Sequence, residues 1–94
     1  MSEGDHQCRE VYYSGRVHGV GFRFTTYAIA AQFNVIGFVR NLPDGRVHLV
    51  VEGESEEIDR FVRAVRKEMQ NYIANTQEIV GPVSGRFHSF EIKH

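Results

Sequence analysis

Gly15-Arg16-Val17-His18-Gly19-Val20-Gly21-Phe22-Arg23 sets three glycines and a closing arginine between a strand-like run and a helix-like run. Glycines let a backbone reverse and turn several N–H groups inward, and the start of a helix adds the positive end of its dipole. Arg23 contributes a permanently charged fork that matches phosphate geometry. A cation at the positive end of a helix is unfavourable unless an anion joins it there. The segment therefore predicts a cradle for a small phosphorylated group, built from the amides of Val17, His18, Gly19, Val20, Gly21, Phe22 and Arg23. A glycine-rich loop alone is weak evidence, since many such loops only turn a strand into a helix.

The elements around the cradle follow from periodicity. Val11, Tyr13, Gly15 and Val17 alternate with Tyr12, Ser14 and Arg16, which predicts a strand with one buried face. From Phe22 to Phe33 the spacing changes: Phe22, Thr26, Ile29 and Phe33 share one side of a helix, with Asn34 as a left-handed stop. Val35 to Leu42 reads as a strand, Pro43-Asp44-Gly45 as a turn, and Val47, Leu49 and Val51 as the core face of the second arm of a hairpin. Ser55 is placed to cap a helix whose first turn carries Glu56 and Glu57. Ile58, Phe61, Val62, Val65 and Met69 form its apolar stripe. Asn71 to Gln77 reads as a polar connection, the boundaries between Gln77 and Phe87 stay open, and Phe90 and Ile92 mark the last strand. The order β-α-β-β-α-β predicts an α+β, ferredoxin-like sandwich, a four-stranded antiparallel sheet with two helices on one face.

With 94 residues, 41% of them hydrophobic, the chain suits one domain and one core. Residues 1–8 are polar and aperiodic and are expected to form a mobile tail, leaving 9–94 as the domain. A single cysteine, Cys8, and no apolar leader point to a reducing, cytoplasmic setting. No apolar run approaches the ~20 residues that span a bilayer. Eleven Lys+Arg against 12 Asp+Glu leave a net charge of −1, which argues against the broad basic face of a nucleic-acid binder. His6 and Cys8 fall short of a closed metal site. His48, His88 and His94 are expected on the surface.

The first segment, taken with Gly37-Phe38-Val39-Arg40-Asn41-Leu42-Pro43-Asp44-Gly45, closely resembles the paired signatures of the acylphosphatase family, and the likeness extends from about Val11 to the closing Phe90-Glu91-Ile92. The resemblance implies a ferredoxin-like enzyme that hydrolyses the carboxyl-phosphate anhydride of acyl phosphates without metal or cofactor. It implies Arg23 as the phosphate-binding arginine and Asn41 as the residue that orients water. The chain departs from the family pattern at His18, where glutamine is common, and at Phe38, where tryptophan is common. Neither position carries the chemistry.

The residues agree with an activated substrate. The leaving carboxylate has a conjugate acid of pKa about 4 and departs as an anion unaided. Alkyl phosphates generally demand a metal or a covalent nucleophile, and this sequence offers no spaced ligand cluster and no evident nucleophile. Inorganic phosphate is the expected product and inhibitor, and a monomer the expected state. Two rivals remain: a non-catalytic anion-binding or regulatory module, and an RNA-binding domain of the same topology. The second is disfavoured because Gly19-Val20-Gly21-Phe22 precedes a helix instead of lying on a central strand.

Overall fold

The computed structural model describes residues 5–94. The chain forms β1 (His6–Gly15), α1 (Phe22–Ala30), β2 (Ile36–Asn41), β3 (Val47–Glu54), α2 (Ser55–Met69), β4 (Ile73–Gly81) and β5 (Phe90–Lys93). The strands make one five-stranded sheet in the order β4-β1-β3-β2-β5. The first four pair antiparallel, and β5 adds to the edge of β2 in parallel, with Gly37 opposite Phe90 and Val39 opposite Ile92.

Register explains which side chains are buried. Val11 lies opposite Leu49 and Tyr13 opposite Val47, while Val39 sits beside Leu49. This row faces the Ile58, Phe61, Val62, Val65 and Met69 stripe of α2, and all of these side chains are buried. Each such side chain stabilises the fold by roughly 1.5–3 kcal/mol relative to exposure. Phe22 of α1 closes on Tyr13 with ring centres 5.0 Å apart, and Phe33 meets Phe61 at 5.9 Å, so both helices share this core.

Four expectations about the elements and their ends change. The fourth strand is Ile73–Gly81, which takes in most of Asn71 to Gln77, where a polar connection was expected, and part of the stretch left open, and it pairs with β1 along its length. Its polar composition follows from its place as an edge strand with mostly exposed side chains. Phe90–Lys93 is thus a fifth strand, and the sheet is mixed. Second, β1 begins at His6, and His6 to Cys8 pair with Glu54 to Glu52, so these residues of the expected tail belong to the sheet. The part of that tail before Asp5 lies outside the described residues. Third, α1 ends at Ala30 with a right-handed cap at Ala31, and no residue other than glycine has positive φ among the described residues. Asn34 instead donates its N–H to Glu57 Oε2 at 2.8 Å, tying the two helices and holding the Glu57 carboxyl below its ordinary range. Fourth, Glu54 occupies the cap position of α2, and the Ser55 hydroxyl donates to Asp5 Oδ2.

The face of the sheet away from the helices is also covered. The chain crosses it between β4 and β5: Ser84 donates N–H and Oγ–H to Glu52, and Phe87 meets Phe38 edge-on. His48 is buried on this face, against expectation. It stacks on Tyr12 with ring centres 4.4 Å apart, accepts from Arg40 Nε at Nδ1 (3.1 Å), and donates from Nε2 to Glu10 (3.0 Å). Burial holds its pKa below the ordinary imidazole value, outweighing the pull of Glu10. Burial and the neighbouring Glu52 push the Cys8 thiol up to about 11, which keeps it protonated.

Candidate active site

The glycine segment begins where β1 runs tight against β4. A Cβ at Gly15, which has φ +127°, would lie 2.5 Å from the Tyr72 carbonyl oxygen, and the next N–H, of Arg16, donates to that same carbonyl. Val17, buried in the core, pins the loop from below, and Val20 packs against the core edge. The backbone turns at Gly19, between these two anchors, and again at Gly21, with φ near +77° and +75°. No atom lies within 4 Å of a Cβ built at either position.

Gly21 is the left-handed residue that starts α1, and the first helical hydrogen bond runs from Thr25 N–H to its carbonyl. Among the described residues, no main-chain partner is found for any N–H from Val17 to Phe24. The first turn of α1 holds no acidic residue, whereas that of α2 holds Glu56 and Glu57. One helix start is neutralised from within the fold and the other is left positive.

Asn41 arrives from a different part of the chain. It is the last residue of β2, opposite Val47, and the turn behind it is fixed by Leu42 N–H to the Arg46 carbonyl (2.8 Å) and Gly45 N–H to the Leu42 carbonyl (3.1 Å). Asp44 accepts from the N–H and Nε of Arg46, and these bonds lower its carboxyl pKa. His18 Nε2–H donates to the Arg46 carbonyl at 3.0 Å, which ties the glycine loop to this hairpin.

Together these elements enclose a cleft of about 330 Å³. Val17, Gly19, Gly21, Phe22 and Arg23 line one side and Asn41 another. Arg23 donates from Nη1 to the Lys93 carbonyl at 3.1 Å, so the end of β5 steadies the guanidinium at the rim. Among the described residues, Arg23 is the only permanently charged side chain in the lining, which holds no Asp or Glu. Of the residues singled out from the sequence, His18 and Val20 do not line the cleft; one braces the loop and the other packs beneath it. Three lining residues were missed: Phe24, Ile92 and His94. The signal for Phe24 was its place off the apolar stripe of α1. The other two approach only because β5 pairs with β2.

No group of three or more His, Cys, Asp or Glu that would hold a metal occurs among the described residues. The arrangement is suited to gripping an anion through amides and a guanidinium, with an amide side chain nearby to direct a neutral molecule.

The acylphosphatase family model matches residues 9–92. An acylphosphatase of Archaeoglobus fulgidus is 36% identical over 85 residues, covering 90% of this chain and 96% of that protein. Among solved structures, the acylphosphatase of Bacillus subtilis superposes with a TM-score of 0.84 at 28% identity, covering 94% of this chain and 99% of that one. One from Coxiella burnetii gives 0.83, also at 28% identity, over 99% and 98%.

Proposed function

The chain belongs to the acylphosphatase family, and from that premise we propose which of its residues carry out the hydrolysis of acyl phosphates to a carboxylate and inorganic phosphate. The phosphoryl oxygens are held by the backbone N–H groups of Val17 to Arg23 and by the Arg23 guanidinium. Asn41 orients a water molecule in line with the scissile bond. The water oxygen bonds to phosphorus, the bond to the acyl oxygen breaks, and its electron pair leaves on the carboxylate. The water proton passes to a phosphoryl oxygen; among the described residues no Asp or Glu lines the cleft, and its one imidazole is that of His94. Rate comes from position and from donors already aimed at the developing charge.

One observation carries this reading: Arg23 and Asn41, on separate elements, line the same cleft as Gly19 and Gly21, whose amides have no main-chain partner among the described residues. No metal is required, because the leaving group is a weakly basic carboxylate; activity should persist in a chelator. The reading also makes inorganic phosphate a competitive inhibitor. A monomer in the cytoplasm is its simplest setting, supported by the lone, half-buried thiol, and no helix among the described residues is long and apolar enough to cross a membrane.

Two variants separate the roles. Arg23→Ala should lose about 1000-fold or more in kcat/KM and lose phosphate inhibition with it. Asn41→Ala should lose kcat by about 100-fold while phosphate inhibition stays within a few-fold of wild type. Near-normal turnover by Arg23→Ala contradicts the assignment, and equal loss of turnover and inhibition in Asn41→Ala would make Asn41 a binding residue.

A further inference from the structure

We infer that Phe24, with Ile92 and His94, forms the acyl side of the substrate site, and that the enzyme favours acyl phosphates with an aromatic or apolar acyl group over small ones. The inference rests on the Arg23 reading above and extends it from the phosphoryl half of the substrate to the other half.

Phe24 is 68% exposed although it sits in a short helix whose buried side is Phe22, Thr26 and Ala30. Two residues beyond Phe22, it points away from that side. Phenylalanine is also a mediocre helix former, so neither packing nor propensity accounts for it. Yet it lines the cleft beside Arg23. With the phosphoryl group held by the loop amides, the acyl group must occupy what is left of the cleft. That remainder is an aromatic ring, the partly buried aliphatic chain of Ile92 and an imidazole, with no Asp, Glu or Lys side chain among the described residues. At about 330 Å³ the cleft is near the lower end of small-molecule sites. A flat ring laid against Phe24 gains apolar burial and aromatic contact that an acetyl group cannot match.

Of the other exposed large hydrophobic side chains, Ile79 and Val80 lie on β4, at the opposite edge of the sheet from β5, and supply a control. Benzoyl phosphate and acetyl phosphate are the probes, and kcat/KM is measured for both with wild type, Phe24→Ala, Phe24→Tyr and Val80→Ala. Comparing variants cancels the intrinsic reactivities of the two substrates. The benzoyl-to-acetyl ratio should fall about ten-fold in Phe24→Ala, mostly through KM, stay within about two-fold in Phe24→Tyr, and not move in Val80→Ala. An unchanged ratio in Phe24→Ala, or equal loss on both substrates, overturns the inference. If Arg23→Ala is inactive in the same assays, that failure leaves the phosphate site standing; if Arg23→Ala turns over acetyl phosphate normally, the site reading falls and the acyl side with it.

Discussion

Arg23 and Arg40 sit in two different polar settings of this molecule, and the fold spends them differently. Arg40 donates to His48 Nδ1 and lies over the Phe38 ring at 5.6 Å, while His48 uses its other nitrogen on Glu10 and its face on Tyr12. Every polar atom of that imidazole has a partner. At the cleft, Arg23 makes one hydrogen bond to a carbonyl and keeps the rest of its fork for the opening, next to a run of amides with no main-chain partner. Saturated groups hold structure, and donors withheld from the fold are the ones available to a ligand.

The glycines repeat the contrast. A Cβ at Gly37 would fall 1.9 Å from the Val50 carbonyl oxygen, so that glycine lets two strands pass; at Gly19 and Gly21 it would meet nothing within 4 Å. Both kinds have positive φ, but only the first kind is needed for packing.

The sharpest break in this comparison would be functional. Arg23→Ala, with its expected thousand-fold loss of kcat/KM, should melt within about 3 °C of wild type, because a rim side chain adds little to stability. Next comes Gly37→Ala, which should cost about 3 kcal/mol or more or prevent folding, since backbone cannot move aside. Gly19→Ala should cost only the roughly 1–2 kcal/mol of a left-handed alanine. Urea unfolding of both variants checks the pair, and equal costs would erase the distinction.

The smallest expected effect concerns pH. Because the folded pKa of His48 lies below its unfolded value, the folded state resists taking up the proton that the unfolded chain accepts. Stability is therefore complete above about pH 6.5 and declines as pH falls towards the folded pKa, with a slope no steeper than about 1.4 kcal/mol per pH unit. The Glu10 carboxyl, lowered chiefly by its bond from His48, adds a decline in the same direction but only below about pH 4.5. Unfolding free energies between pH 7.5 and 5.5 should slope in wild type and flatten in His48→Gln. An unaltered slope would place the titrating group elsewhere.

Much of the site was legible because its chemistry is local. Gly15 to Arg23 is one continuous stretch, and Asn41 lies in a second segment anchored by a readable turn. The α2 stripe was legible for the same reason, its period being strong. What could not be read depended on chain crossings. β4 carries edge-strand polarity and looks like a loop until it is paired. His48 and Glu52 stand at outward positions of β3; His48 is buried among Tyr12, Phe38 and Arg40, and Glu52 is held by Ser84 of the segment that crosses the sheet. Arg9 follows the same logic: it is buried on the helix face beside Asp59 at 2.7 Å, a partner set by packing and invisible in sequence. Phe24 was passed over because an exposed aromatic has no periodic signature, and its meaning appears only beside Arg23 and Ile92.

The central claim, that main-chain donors completed by Arg23 grip the phosphoryl group, is tested most directly by titrating inorganic phosphate into ¹⁵N-labelled protein and following the amide resonances. Saturable shifts concentrated in Val17 to Arg23, abolished in Arg23→Ala, are expected. Unmoved loop amides, with the perturbation falling instead on the groove lined by Arg9, Arg63 and Arg66, would contradict it.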